Sequence, residues 1–150
     1  MSLFDVRPDD SIGAWFLDTP HYENGEEILG LEFRRGQRWD REKRLRTSVY
    51  SEGVRVSFCR GGRGTFYIAS HLMRVLRSVI SDDRLEGIPV EISGCSEEYE
   101  ILNVLDIVDC VDEDRSEFGK WTESGGRPEM IGRYRGIPKM VLDGGAVARA

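Results

Sequence analysis

Apolar positions along this chain recur with two different periods, and together they predict a sheet with one helix laid against it. Leu72, Val75, Leu76, Val79 and Ile80 fall at i, i+3, i+4, i+7 and i+8, with Arg74, Arg77 and Ser78 on the opposite flank, so Ser70–Ile80 is expected to be an amphipathic helix. Ser70 stands where an N-cap hydroxyl would accept a bond from an orphan backbone N–H. Burial of each large side chain in such a stripe contributes about 1.5–3 kcal/mol, enough for the helix to seal one face of a sheet. Val54, Val56 and Phe58 alternate with Arg55 and Ser57, the period of a half-buried strand. Further strands are expected at Ala14–Leu17, Glu27–Phe33, Phe66–Ile68 and Val90–Ile92, the last opened by Gly87 and Pro89. A final strand is expected at Ile137–Leu142, with Pro138 at its beginning, where a missing N–H does least harm. Asn24–Gly25, the group Gly61, Gly62 and Gly64, and the pair Gly94 and Ser96 supply turns between them. The run RRGQRWDREKRLR, from Arg34 to Arg46, is too polar to pack on both sides and reads as a loop or a short exposed helix anchored by Trp39 and Leu45.

Tyr99–Val111 fits two structures. A helix would bring Asp106, Asp109 and either Asp112 or Glu113 along one flank, whereas a strand would put Asp106 and Asp109 on opposite faces. The β-branched residues Ile101, Val104, Ile107, Val108 and Val111 favour a central strand buried on both sides. The fold class is therefore α+β, a mostly antiparallel sheet with one main amphipathic helix packed on one face. A chain of 150 residues suits a single domain over its whole length, and at 39% hydrophobic and 32% charged residues it has the composition of an ordinary globule.

Charge changes this picture. Between Arg34 and Arg63 there are ten bases against three acids, while between Asp82 and Glu129 there are fifteen acids against four bases. Nine acids crowd the stretch from Glu97 to Glu117 against Arg115 alone, and such crowding costs folding free energy unless water, a cation or a basic partner neutralises it. One account is that the two halves pair as surface salt bridges worth about 0–1 kcal/mol each. The other is that an acidic face stays uncompensated and steers a basic partner, which excludes nucleic acid as its direct ligand. The N-terminus carries acids where a signal peptide needs bases and then an apolar run, and no apolar stretch approaches the roughly 20 residues that cross a bilayer. Cys59, Cys95 and Cys110 are odd in number and form no CxxC pair, the pattern of reduced thiols. A cytoplasmic protein with no membrane contact is expected.

The run YEILNVLDIVDCVDEDRSEFGKW, the following GRPEMIGRYRG and the closing MVLD resemble family eleven of the immunity proteins encoded beside polymorphic toxins, the myxobacterial-type family. FDVRPD followed by Trp15 is similar to that family's opening, and FYIASHLMRVL to its strand-into-helix segment. Members of the family continue past the MVLD strand, whereas this chain ends at Ala150, so the resemblance implies an immunity-protein-like domain without the family's C-terminal segment. It also implies a non-enzymatic role: binding a cognate protein toxin and blocking it, a nuclease being one candidate because nuclease clefts are basic. On that implication Asp109, Asp112, Glu113, Asp114 and Glu117 are candidate toxin contacts, and Trp121 is either an aromatic anchor of the interface or a core residue. Arg115 is expected to neutralise its acidic neighbours within the fold. Assembly into a homo-oligomer is left open.

Catalytic readings are weaker. His21 and His71 are the only histidines, and their positions suggest no Ser/His/Asp or Cys/His arrangement. The glycines at 61–64 lack the following Lys and Ser/Thr of a phosphate-cradling loop. With Asp112 as position one of a calcium loop, Asp114, Ser116 and Glu123 fall at positions three, five and twelve, but Glu117 stands where the sharp turn needs Gly and Lys120 stands at position nine. No catalytic residue, metal ligand or cofactor is assigned. The alternative to a toxin-binding protein is a metal-dependent enzyme or calcium-responsive module using the carboxylates from Asp106 to Glu117.

Overall fold

A computed structural model describes residues 7–40, 42–107, 111–125, 128–141 and 147–149, the stretch from 136 onward by its backbone. Contacts divide the chain into two compact units, Met1–Ile107 and Val108–Ala150. The first holds strands β1 (Phe16–Leu17), β2 (Leu45–Thr47), β3 (Val49–Ser51), β4 (Phe58–Arg60) and β5 (Phe66–Ala69), helix α1 (Ser70–Val79), and strands β6 (Leu85–Ile92) and β7 (Tyr99–Val104). The second holds β8 (Glu117–Lys120), β9 (Tyr134–Val141) and β10 (Val147–Arg149). The fold is α+β and mainly sheet, with one α-helix among the described residues.

In the first unit five strands line up as β2-β6-β7-β5-β4, antiparallel except for the parallel pair β2 and β6. Opposite residues share a face, so the pairs Tyr67↔Ile101 and Ile68↔Glu100 sort the core into two layers. On one side Trp15, Leu17, Phe33, Leu45, Tyr67, Ile88, Ile92, Tyr99 and Ile101 pack together under the N-terminal segment. On the other, Phe58, Ile68, Met73 and Leu85 pack with Leu72, Leu76 and Ile80, so α1 covers that face as expected.

The helix is rotated relative to the predicted stripe. Met73 is fully buried, while Val75 and Val79 are 57% and 77% exposed. Arg77 turns inward to pair with the buried Glu100, Nη2 to Oε2 2.9 Å. Gly87, opposite Leu102 on β7, makes room for that pair, since a Cβ there would lie 1.9 Å from Glu100 Oε2. Ser70 is not the cap. Strand β5 runs directly into the helix, Ala69 takes the cap position without a side-chain bond, and the Ser70 N–H is satisfied by Glu98 O.

Other expectations shift for local reasons. The strand expected at Phe66–Ile68 forms over Phe66–Ala69, and Ala14–Leu17 forms as a short strand at 16–17 with a bridge from Ala14 to Val54. Val54–Phe58 is not a strand of the main sheet. The Val54 N–H goes to Gly13 O and its carbonyl accepts from Trp15, leaving its side chain exposed, and regular pairing begins only at Phe58. Glu27–Phe33 is not a strand either. Gly30 lies so close to Gly64 that a Cβ would stand 2.5 Å from its carbonyl carbon, and the chain coils there into a 3-10 turn over Gly30–Arg34 that buries Phe33. The strand expected over Tyr99–Val111 ends at Val104, after which the Leu105 and Asp106 N–H groups both turn to Arg84 O. Residues 108–110 lie outside the described residues.

Both strand prolines lie inside strands. Pro89 precedes Val90, where β2 begins to pair with β6, so no strand flanks it on that side. Pro138 sits within β9 rather than at its start, between the pairs Gly119↔Gly136 and Glu117↔Lys139, where the register slips. Leu142, the expected end of that strand, lies outside the described residues.

The basic run is a loop that enters β2, and Leu45 and Trp39 anchor it as expected. Leu45 is buried, and Trp39 stacks on Tyr22 and tilts against Phe33 at 6.1 and 5.2 Å. A buried carboxylate ties this loop to the sheet: Glu86 Oε2 accepts from the Trp39 N–H and from Asn103 Nδ2, each at 2.8 Å. Asn103 Nδ2 also donates to Gln37 O at 2.9 Å.

Met73→Ala is expected to destabilise the protein by about 2–5 kcal/mol in urea unfolding, whereas Val75→Ala and Val79→Ala should each stay within about 0.5 kcal/mol of wild type. Equal losses at all three positions would contradict the helix rotation.

Candidate functional site

The acidic stretch is shared between the two units. In the first, Asp106 pairs with Arg84 at 3.0 Å and Glu100 with Arg77. In the second, Asp112 opens a tight turn: its carbonyl accepts from Ser116, its Oδ1 accepts from the Arg115 N–H at 3.1 Å, and its Oδ2 lies 3.7 Å from the Arg115 guanidinium. Arg115 thus neutralises Asp112, as expected.

Glu113 is held firmly from β8 and β9. Its Oε1 accepts from Lys120 Nζ at 2.6 Å and from the Tyr134 hydroxyl at 2.7 Å. These bonds, with the Lys120 charge, hold its carboxyl below the usual 4.5. The Lys120 ammonium also sits over the Phe118 and Tyr134 rings, which meet edge to face at 5.2 Å. Asp114, at the turn, and Glu117, at the start of β8, are exposed. β8 is an edge of its three-stranded sheet, ordered β10-β9-β8.

The predicted contacts therefore separate by role. Asp114 and Glu117 are presented to solvent, Asp112 and Glu113 build the turn that presents them, and Asp109 lies outside the described residues. Trp121 is half-buried, with the Arg135 guanidinium 5.0 Å above its ring and Gly125 packed against its edge. Among the described residues no group of three or more His, Cys, Asp or Glu side chains is arranged to hold a metal ion.

The fold makes one juxtaposition that the sequence does not suggest. Ser57 Oγ lies 3.1 Å from His71 Nε2, and His71 Nδ1 lies 3.7 Å from Glu97 Oε1. The order resembles a nucleophile, base and acid, but the last distance is too long for a hydrogen bond. His71 and Glu97 are also 54% and 43% exposed, so no buried carboxylate orients the imidazole.

Sequence reasoning also missed a groove of about 770 Å³ in the first unit. Residues 39 and 43–45 line it together with Ser70, Arg74 and Arg77 of α1, residues 86–91 of β6, Glu98, and Tyr99 and Glu100 of β7. The signal was present in Arg74, a helix base with no acid three or four positions away. The Cys59 thiol is passive by contrast, since burial pushes its pKa up to about 12, while Cys95 is half-buried. No helix among the described residues is long and apolar enough to cross a membrane. No protein-family model matches the chain, and no curated protein matches it.

The depressed carboxyl of Glu113 has a testable sign. The folded pKa is lowered, so its bonds support the turn at pH values above the ordinary 4.5 and are lost as pH falls through the lower folded value. In an NMR carboxyl titration Glu113 should lose its proton below the ordinary 4.5, and Tyr134→Phe and Lys120→Gln should each move it back up. A midpoint for wild-type Glu113 that neither substitution moves would refute the arrangement.

Proposed function

We propose that the protein is a toxin-neutralising binding protein whose acidic turn meets the basic surface of a cognate protein toxin. The observation that carries this reading is the exposure of Asp114 on a turn fixed by Glu113 and of Glu117 at the start of β8, the end strand of its sheet. A partner that engages these carboxylates finds them already arranged, which lowers the ordering cost of binding. Their charge also steers a basic partner during approach, an effect that falls with added salt.

The likeness of the segment from Tyr99 to Trp121 to the myxobacterial-type immunity proteins supports the same reading, as does the chemistry of one candidate toxin class. A nuclease cleft grips phosphates with bases, and carboxylates can occupy the sites where those phosphates sit. Trp121, covered on one side by Arg135, adds an aromatic surface close in sequence to the turn. The proposed action is inhibition by binding, in the cytoplasm of the producing cell, without bond-making by this chain.

Reversing Asp114 and Glu117 to Lys should slow association with the cognate toxin domain by about tenfold or more at low salt, with the urea midpoint unchanged. Stopped-flow mixing measures the rate. An unchanged rate, or loss of folding in place of loss of association, would remove this surface from the proposal.

A further inference from the structure

The face of the first sheet that carries α1 is only partly roofed. The helix packs over Ile68 and Leu85, but further along β6 the same face holds Pro89 and Glu91, both exposed. The loop before β2 walls this open strip on the far side, which makes the 770 Å³ groove. That volume lies within the range of ligand sites. Its floor along Gly87–Glu91 extends for about 13 Å at the rise of a strand.

The charges in and beside the groove are unevenly matched. Arg77 is paired with Glu100, and Arg46, flanking the groove on β2, is paired with Glu91 at 3.3 Å and Glu23 at 3.4 Å. Glu86 is buried and bound to Asn103 and the Trp39 N–H. Arg44 on the loop wall and Arg74 on the helix wall are exposed, and neither has an ion-pair or hydrogen-bond partner among the described residues. The Glu98 carboxylate is the one acid of the groove in the same condition.

We propose that this groove binds an acidic, extended peptide segment of a partner protein, with Arg44 and Arg74 each taking a carboxylate. Two guanidiniums on separate elements suit carboxylates spaced along a chain better than a single compact anion. Each can grip its carboxylate in a bidentate fork. Pro89 has no N–H to offer, so side-chain pairing holds the segment there in place of strand addition. Glu98 repels acids at its own end and sets a preference for a neutral or basic residue there. This site is distinct from the acidic turn of the second unit and does not rest on the toxin-binding reading.

The test is fluorescence anisotropy of fluorescein-labelled octaglutamate with the full chain at low ionic strength. Saturable binding is expected, weakened by about tenfold or more by Arg44→Glu and again by Arg74→Glu. Glu98→Lys should tighten it, and Arg133→Glu, an exposed base of the second unit, should leave it unchanged. Arg44→Gln and Arg74→Gln, checked by urea midpoint, give milder versions should a reversal disturb folding. No saturable binding to the wild type, or unchanged affinity in the Arg44 and Arg74 variants, would overturn the proposal. Displacement by inorganic phosphate at concentrations matching the peptide would also overturn it and assign the groove to small anions.

Discussion

The buried carboxylate of Glu86 is the joint on which the first unit turns. An acid taken out of water costs several kcal/mol unless its oxygens are bonded. Here the bonds come from Asn103 on the neighbouring strand and from the backbone of Trp39 in a distant loop. One side chain thus fastens β6 to β7 and draws the basic run across the sheet edge. Trp39 can then stack on Tyr22 and lean on Phe33, and the loop leads into β2 beside β6. Without that tether a segment as polar as 34–46 has little apolar surface with which to hold its place. The groove's loop wall follows from the same attachment.

Much of this was legible in the sequence, for identifiable reasons. The strand at 66–69, the helix that follows it and the turn at Asn24–Gly25, where Gly25 takes a φ of 85°, rest on local signals that tertiary contacts reinforced. The helix face was displaced because the stripe counted Val75 and Val79 as core and passed over Met73, whose flexible side chain fills the space between α1 and the sheet. Arg77 looked solvent-facing for the same reason, and only the pairing that brings Glu100 beside Gly87 gives it an inward partner. Alternation at Val54–Phe58 misled because period two describes a face, and a face becomes a strand only where a neighbour pairs along it. Of the candidate site, the acidic residues could be named but not sorted. The division between presented and structural carboxylates depends on Lys120 and Tyr134 reaching Glu113.

The charge asymmetry of the sequence is resolved mostly by short-range pairing. Arg35 meets Glu32, Arg60 meets Asp10 and Arg63 approaches Glu27, all acids outside the dense acidic stretch. Arg38 and Arg46 reach Glu86 and Glu91 and so link the basic run to the acid-rich half. Exposed pairs of this kind add little stability one by one. Their larger effect is selective, because they silence most of the surface and leave a few groups with unspent charge. Asp114 and Glu117 in one unit and Arg44 and Arg74 in the other are such groups.

Cys59, buried beneath the first core layer with its pKa pushed up to about 12, carries a further consequence. Oxidants and electrophiles react with sulfur through the thiolate, and at neutral pH this side chain supplies almost none. Oxidative chemistry that would put a polar sulfenic acid among packed rings is thereby kept out of the interior. Of the two cysteines described, Cys95 is the one that such reagents can reach, and the redox state of the surroundings acts on this unit at its surface.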